Sequence, residues 1–305
     1  MKFLRVGTKN REKPAVIDKL GLLRDLSSIT SDLNPNFFNI KILKEIYKID
    51  LSTLPELSPN LRVGPCVNNF QKFIGIGMNY HDHAIETNTK PPKEPIIFLK
   101  ANSSLSGPYD DVVIPKNSKK TDWEIELGIV IEKKAKNITE DEAKNYIFGF
   151  CIVNDISERE FQLERSGQWD KGKGCDTFGP IGPFLVTKDE IKDAQNLNLE
   201  LKVNDKIMQK SNTNKMIFNI PFIVSYVSNF MTLLPGDVIA TGTPAGVGMG
   251  KNPKTFLCIC YSIFLITLII IGIYMKFNIV YYIILLLTGF QLYNLKNLNL
   301  NIKNQ

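Results

Sequence analysis

Paired cysteines are missing from this sequence. Its five cysteines, Cys66, Cys151, Cys175, Cys258 and Cys260, have neither the CxxC spacing of a zinc site nor the density of a disulfide framework, which excludes both and fits a reducing compartment. A strong charge excess is missing too. The formal net charge is +6, and roughly half of it comes from three lysines after Leu257, so the body is too weakly basic to call for a nucleic-acid partner. Between Met1 and Asp18 charged residues alternate with apolar ones and leave no uninterrupted apolar core of a leader, which reads against export and for the cytoplasm. No fixed-period repeat occurs, and neither GxxxxGK[ST] nor a strand-to-helix GxGxxG is found, which removes solenoids, phosphate loops and dinucleotide folds.

What is present is ordinary globular composition, 44% apolar and 22% charged over 305 residues, enough for one large domain and a small one. Residues 1 to 70 carry short alternating runs, Phe3 to Val6 and Ala15 to Asp18. They end in Pro55, Ser58, Pro59, Gly64 and Pro65, and read as a small strand-rich N-terminal domain. Residues 71 to 257 mix strands and helices without a regular βαβ order, which favours an α+β body on curved sheets. Trp123 to Ile131 alternates, with Glu124, Glu126, Gly128 and Val130 on what should be a wet or functional face. Thr139 with Glu142, and again Ser157 with Glu160, give capping-box signatures for two short helices. The apolar strand Gly149 to Ile156 between them delivers Asp155 to a strand-to-helix junction. Further on, Leu197 to Val203 and Val238 to Thr241 read as strands and Ile217 to Met231 as a helix.

Carboxylates at i and i+2 of a strand point the same way, with Cβ atoms about 6 to 7 Å apart. Glu124 and Glu126 could therefore grip a hard, oxygen-seeking cation, although an isolated pair of this kind also describes a solvated strand face. His81 and His83 are the only histidines. His83 and Glu86, one helical turn apart, have the spacing of an imidazole activated by a carboxylate, and a plain polar loop is the alternative. Lys171 and Lys173 lie among glycines in a segment that could equally be a flexible loop. Thr241 to Gly248, TGTPAGVG, is a Gly-rich turn that either approaches a small anion or is simply a loop.

Identity and order turn these weak signals into a pattern. GMNYHDHAIE (77–86), PIIFLK (95–100), DWEIELGIVI (122–131), GFCIVNDISEREFQ (149–162), QWDKGKGCDTFGPIGP (168–183) and SYVSNFMTLLPGDVIATGTPAGVGMG (225–250) together resemble the fumarylacetoacetate hydrolase family. The likeness runs from the N-terminus to about Leu257, and is strongest to the branch of ureidoglycolate lyases and 2,4-diketo-3-deoxy sugar-acid hydrolases. The resemblance implies a mixed β-roll, a homodimer, and a divalent cation, Mg²⁺ with Mn²⁺ or Ca²⁺ as alternatives, on Glu124, Glu126 and Asp155. It further implies a water-activating His83–Glu86 dyad, a catalytic Lys173 near the metal, and substrate contacts from Gln162 and Thr243. The implied reaction is hydrolysis of a C–C bond in a 2,4-diketo acid to pyruvate and an acid. Lyase chemistry on ureidoglycolate and decarboxylation or tautomerisation of oxaloacetate are alternatives on the same site.

After Leu257 the pattern departs. The family calls for a Gly-Asp turn, a strand and a closing hairpin, whereas residues 258–305 are apolar, then Asn/Lys/Leu-rich, with no acid, Arg, Ala or Pro. Phe256 to Met275 has the length of a membrane span, so a C-terminal anchor is one reading. Translation in a shifted frame is the other, and it expects an intact closing hairpin in another frame just downstream in the nucleotide sequence. With that hairpin lost, an inactive anchored scaffold is the alternative to an enzyme.

Overall fold

The computed structural model describes residues 1–38 and 40–257, and the hydrophobic C-terminal segment with its two readings lies outside them. Nine strands form one sheet: β1 (Lys2–Val6), β2 (Lys13–Ile17), β3 (Leu23–Asp25), β4 (Phe73–Gly77), β5 (Ile96–Lys100), β6 (Ile125–Ile131), β7 (Ile147–Asn154), β8 (Leu185–Thr187) and β9 (Val238–Ala240). Their spatial order is β3-β2-β1-β8-β7-β6-β9-β4-β5. The β9–β4 pair is parallel and the rest of this sheet is antiparallel, so the body is mixed α/β around a large mixed sheet. Among the described residues five α-helices accompany it: α1 (Ile40–Lys48), α2 (His81–Glu86), α3 (Glu140–Ala143), α4 (Asp170–Lys173) and α5 (Ile220–Phe230).

The alternation in β6 does not put one face in water, because all seven residues are buried. Ile125, Leu127, Ile129 and Ile131 join the apolar cluster under α5, where Ile220, Ile223, Val224 and Val227 meet them. Val130 belongs to a second cluster with Phe3, Phe37, Phe38 and Ile46. The Val130 end of the face expected to be wet or functional is therefore covered by N-terminal residues, which bury their own apolar side chains by doing so. Hydrogen bonding makes the same point. β1 pairs with β8 and β8 with β7, so the sheet runs without a break across the boundary expected near residue 70.

Thr139 and Glu142 form both bonds of the expected capping box, and α3 follows. The second signature fails. Ser157 and Glu158 pair as strand with Thr121–Asp122, and the Ser157 hydroxyl donates back to the Asp155 carbonyl instead of capping. The helix after it, Glu160–Glu164, is a π-helical turn with no side-chain cap. Such turns concentrate at functional sites, because their wider spacing re-aims side chains; this one turns Gln162 and Leu163 toward one cavity.

Among the described residues no helix is long and apolar enough to cross a membrane.

Candidate active site

Antiparallel pairing of β6 with β7 sets Ile125 opposite Asn154, so the residues just beyond, Glu124 and Asp155, come together. The Asp155 N–H donates to the Glu124 carbonyl at 2.9 Å, and the Glu124 N–H donates to Asn154 Oδ1 at 3.1 Å. Glu126, two residues along, points the same way. One carboxylate oxygen from each of Glu124, Glu126 and Asp155 lies within 4.8 Å of the others, and all three side chains are buried. An all-oxygen set of this kind suits a hard divalent cation.

Two lysines and an arginine face these carboxylates. Lys173, in α4, donates to Glu124 Oε2 at 2.7 Å and Asp155 Oδ2 at 2.6 Å. It is helical and buried, so the Gly-flanked lysine is no flexible loop residue. Lys100, at the end of β5, donates to Asp155 Oδ1 at 2.6 Å and to the Lys173 carbonyl. Arg159 Nη2 forms an ion pair with Glu124 Oε1 at 2.6 Å, yet neither N–H of Nη2 is aligned on an acceptor. That leaves a buried guanidinium edge ready for an oxygen ligand.

The carboxyls respond differently. Burial opposes ionisation of Glu124, but Lys173 and Arg159 outweigh it and hold its carboxyl well below the ordinary range. Glu126 goes the other way. Burial and the neighbouring charges of Asp155 and Glu124 push its carboxyl well up, and the Gly242 N–H at 2.7 Å only partly offsets them. A bound cation would relieve that repulsion directly, which is how this donor set fits a metal. Burial lowers Lys100 despite Asp155, whereas Lys173 is raised because Asp155 and Glu124 overcome its burial.

His83 lies in α2 with Nδ1 3.4 Å from Glu86 Oε2, while His81 is exposed at the start of the helix. Glu86 is held in turn by the Gly246 N–H at 2.9 Å. The turn 241–248 does bind anions, but they are the protein's own. Gly242 N–H serves Glu126, Gly246 N–H serves Glu86 and Gly248 N–H serves Asp122. Thr243 lines the cavity, but its hydroxyl donates to the Ile125 carbonyl and accepts from Gln209, so it has no proton left to offer. Gln162 Oε1 accepts from Arg159 Nη1 at 3.0 Å. Its Nε2 makes no hydrogen bond to another described residue and stays available.

His83, Glu124, Glu126, Gln162, Lys173 and Thr243 line one cavity of about 350 Å³. Asp155 lies fully buried behind them. Sequence reading passed over Lys100, Arg159 and Asp122. All three lie inside the matching blocks, but nothing in their spacing marks a lysine at the end of a strand as buried.

Asp122 organises the surroundings. Its carboxylate accepts from Arg159 Nε (2.9 Å), Trp123 N–H (2.8 Å), Gly248 N–H (2.6 Å) and Met249 N–H (3.0 Å). Asp122→Asn replaces an acceptor with a donor facing a buried guanidinium, so the chain should lose about 3 to 5 kcal/mol of stability. Urea unfolding reads this, and an unchanged midpoint would show that Arg159 finds another counter-charge.

Comparison with known proteins agrees with this geometry. Residues 72–258 match the family model described as fumarylacetoacetate (FAA) hydrolase C-terminal. A protein named as a hydrolase in Burkholderia orbicola (strain MC0-3) is 53% identical over 254 residues, 83% of this chain and 90% of the relative. The crystal structure of maleylpyruvate hydrolase from Sphingobium sp. SYK-6, in complex with manganese(II) and pyruvate, superposes with a TM-score of 0.69 at 29% identity, covering 81% of this chain and 90% of that one. A 5-carboxymethyl-2-hydroxymuconate delta-isomerase from Mycobacterium smegmatis gives a TM-score of 0.65 at 31% identity, covering 81% and 89%.

Proposed function

The chain belongs to the fumarylacetoacetate hydrolase family and is an enzyme of it, and on that premise we propose that it hydrolyses the C3–C4 bond of a small 2,4-diketo acid to pyruvate and a carboxylic acid. The observation that carries this reading is the three-carboxylate set at the floor of the cavity with the Lys173 ammonium bridging two of its members. A divalent cation on Glu124, Glu126 and Asp155, Mg²⁺ or Mn²⁺ in this proposal, would supply Lewis-acid polarisation of the oxo-acid oxygens.

The chain's own residues do the rest. Glu86 orients the His83 ring through Nδ1, so the other ring nitrogen takes the proton from water as the oxygen adds to the C4 carbonyl. Collapse of that adduct breaks C3–C4 and leaves its electron pair on the pyruvate fragment as an enolate. Lys173 stabilises the developing charge from a water-poor pocket. Protonation at C3 gives pyruvate, and the acyl fragment leaves as the acid. Arg159 and Gln162 hold the carboxylate of the oxo acid, using the guanidinium edge and the amide that the protein leaves open. Thr243 acts through position, by tying the start of β6 to the turn.

Tautomerisation is the second reading, favoured by the similarity to an isomerase, since the same lysine and carboxylates serve an enolate whichever bond is made or broken. The homodimer belongs to this proposal and is checked by light scattering.

The test is turnover of acetylpyruvate, oxaloacetate and ureidoglycolate by the purified chain with Mg²⁺ or Mn²⁺. Acetylpyruvate should yield pyruvate and acetate, and Glu124→Ala should abolish it. Turnover that survives Glu124→Ala removes the carboxylate set from the mechanism.

A further inference from the structure

Resting on the oxo-acid reading of the site, we infer that the acyl arm of the substrate is an unsubstituted hydrocarbon, and that a polyhydroxylated sugar-acid arm is rejected. The cavity has two chemically different ends. Its buried end gathers the groups already described, and Arg159 with Gln162 beside the carboxylates account for the polar oxygens of the oxo-acid head. From there toward solvent the wall is Ile96, Phe98, Leu163, Trp169 and Met249. Ile96 and Leu163 are 36% and 42% exposed, which places them at the mouth, and Phe98 is buried near Lys173, with the ammonium 4.9 Å from its ring centroid.

The wall is built in. Phe98 and Trp169 pack with ring centroids 5.8 Å apart. They do so against a strand that leaves them room, since a Cβ at Gly75 would stand 2.1 Å from the Phe98 ring and one at Gly77 would stand 2.3 Å from Trp169. The hydroxyls lining the mouth have no proton to give a ligand. Thr87 Oγ1 and Thr89 Oγ1 are 2.8 Å apart, so one donates to the other and the second donates to a backbone carbonyl of α2, His83 or Ala84. A hydroxylated arm on this wall would give up hydrogen bonds to water and find few partners in return, whereas each methylene of a hydrocarbon arm gains burial. Lys90 is the remaining polar group at the rim, exposed and without an ion pair among the described residues. It makes a terminal carboxylate the competing idea.

Binding of 2-oxo acids to the Mn²⁺-loaded protein, read by calorimetry, tests the arm without requiring turnover. Affinity should rise about fourfold per methylene from pyruvate to 2-oxopentanoate and 2-oxohexanoate. It should fall tenfold or more from 2-oxopentanoate to its 4,5-dihydroxy analogue. Leu163→Asn should narrow that second ratio at least threefold. Equal or tighter binding of the dihydroxy acid overturns the inference, as does a ratio that Leu163→Asn leaves unchanged. A tenfold preference for 2-oxoadipate over 2-oxohexanoate that Lys90→Met removes overturns it in favour of a charged arm. If pyruvate and every longer acid fail to bind, the oxo-acid reading itself falls, and the inference with it.

Discussion

Glu126→Gln should abolish divalent-cation binding and lower turnover roughly a thousandfold or more, while making the cation-free protein more stable than the wild type. The two effects share one cause. Glu126 is buried beside two other carboxylates, and these surroundings push its carboxyl well above the ordinary value. Between that ordinary value and the raised one, the folded chain keeps a proton that the unfolded chain has released. Stability without cation therefore falls as pH rises through the window, and the whole cost is present above it. A glutamine keeps the bond from the Gly242 N–H and offers its amide protons to the neighbouring carboxylates, at a gain of roughly 1 to 3 kcal/mol above the window. Thermal melts across pH 5 to 8, in chelator and in Mn²⁺, check this. The wild type should gain from Mn²⁺ most at the alkaline end, and Glu126→Gln should gain nothing. A Mn²⁺-dependent shift that persists in the variant would show that Glu126 is no ligand.

Lys173→Met should cut turnover by about a hundred- to a thousandfold, and should also make folding depend on the cation. The ammonium does two jobs. In the proposed reaction it would face the charge that grows on the enolate, and at rest it neutralises Glu124 and Asp155 at 2.7 and 2.6 Å. Removing it leaves buried carboxylates short of counter-charge, so the chelated variant should melt well below the wild type and Mn²⁺ should restore most of the difference. Lys173→Arg should not rescue activity, because the Phe98 ring 4.9 Å from Nζ leaves little room for a planar fork. Full activity in the arginine variant would show that any cation at this point suffices.

The site was more legible in the sequence than the fold was. Glu124 and Glu126 are two residues apart at the start of β6, so their spacing alone implied that they share a side, and the structure brings Asp155 to them. His83 and Glu86 were equally local. What spacing could not carry was the content of the other side of each contact. The alternation of β6 read as a wet or functional face because sequence shows periodicity and not what covers it; Glu124 and Glu126 open on the cavity, while Phe3, Phe37, Phe38 and Ile46 share in covering the rest of that side of the sheet. Ser157 and Glu160 had capping-box spacing, but strand pairing with Thr121–Asp122 outcompeted the cap. Lys100 and Asp122 act through partners tens of residues away, Asp155 and Arg159 among them, and no local pattern announces such pairs.

The place of β9 in the sheet has a consequence for how this enzyme comes into being. Val238–Ala240 lies between β6, which carries Glu126, and β4, which leads to the histidine helix, and it hydrogen-bonds to both. Those flanking strands begin at Ile125 and Phe73, so each waits more than a hundred residues for the piece that joins them. Contacts so distant in sequence are slow to close, since loop entropy is lost before any pairing repays it. During synthesis β4 and β6 therefore emerge early but are not joined in one sheet until residue 240 has cleared the ribosome, and until then the nascent sheet carries an open central seam.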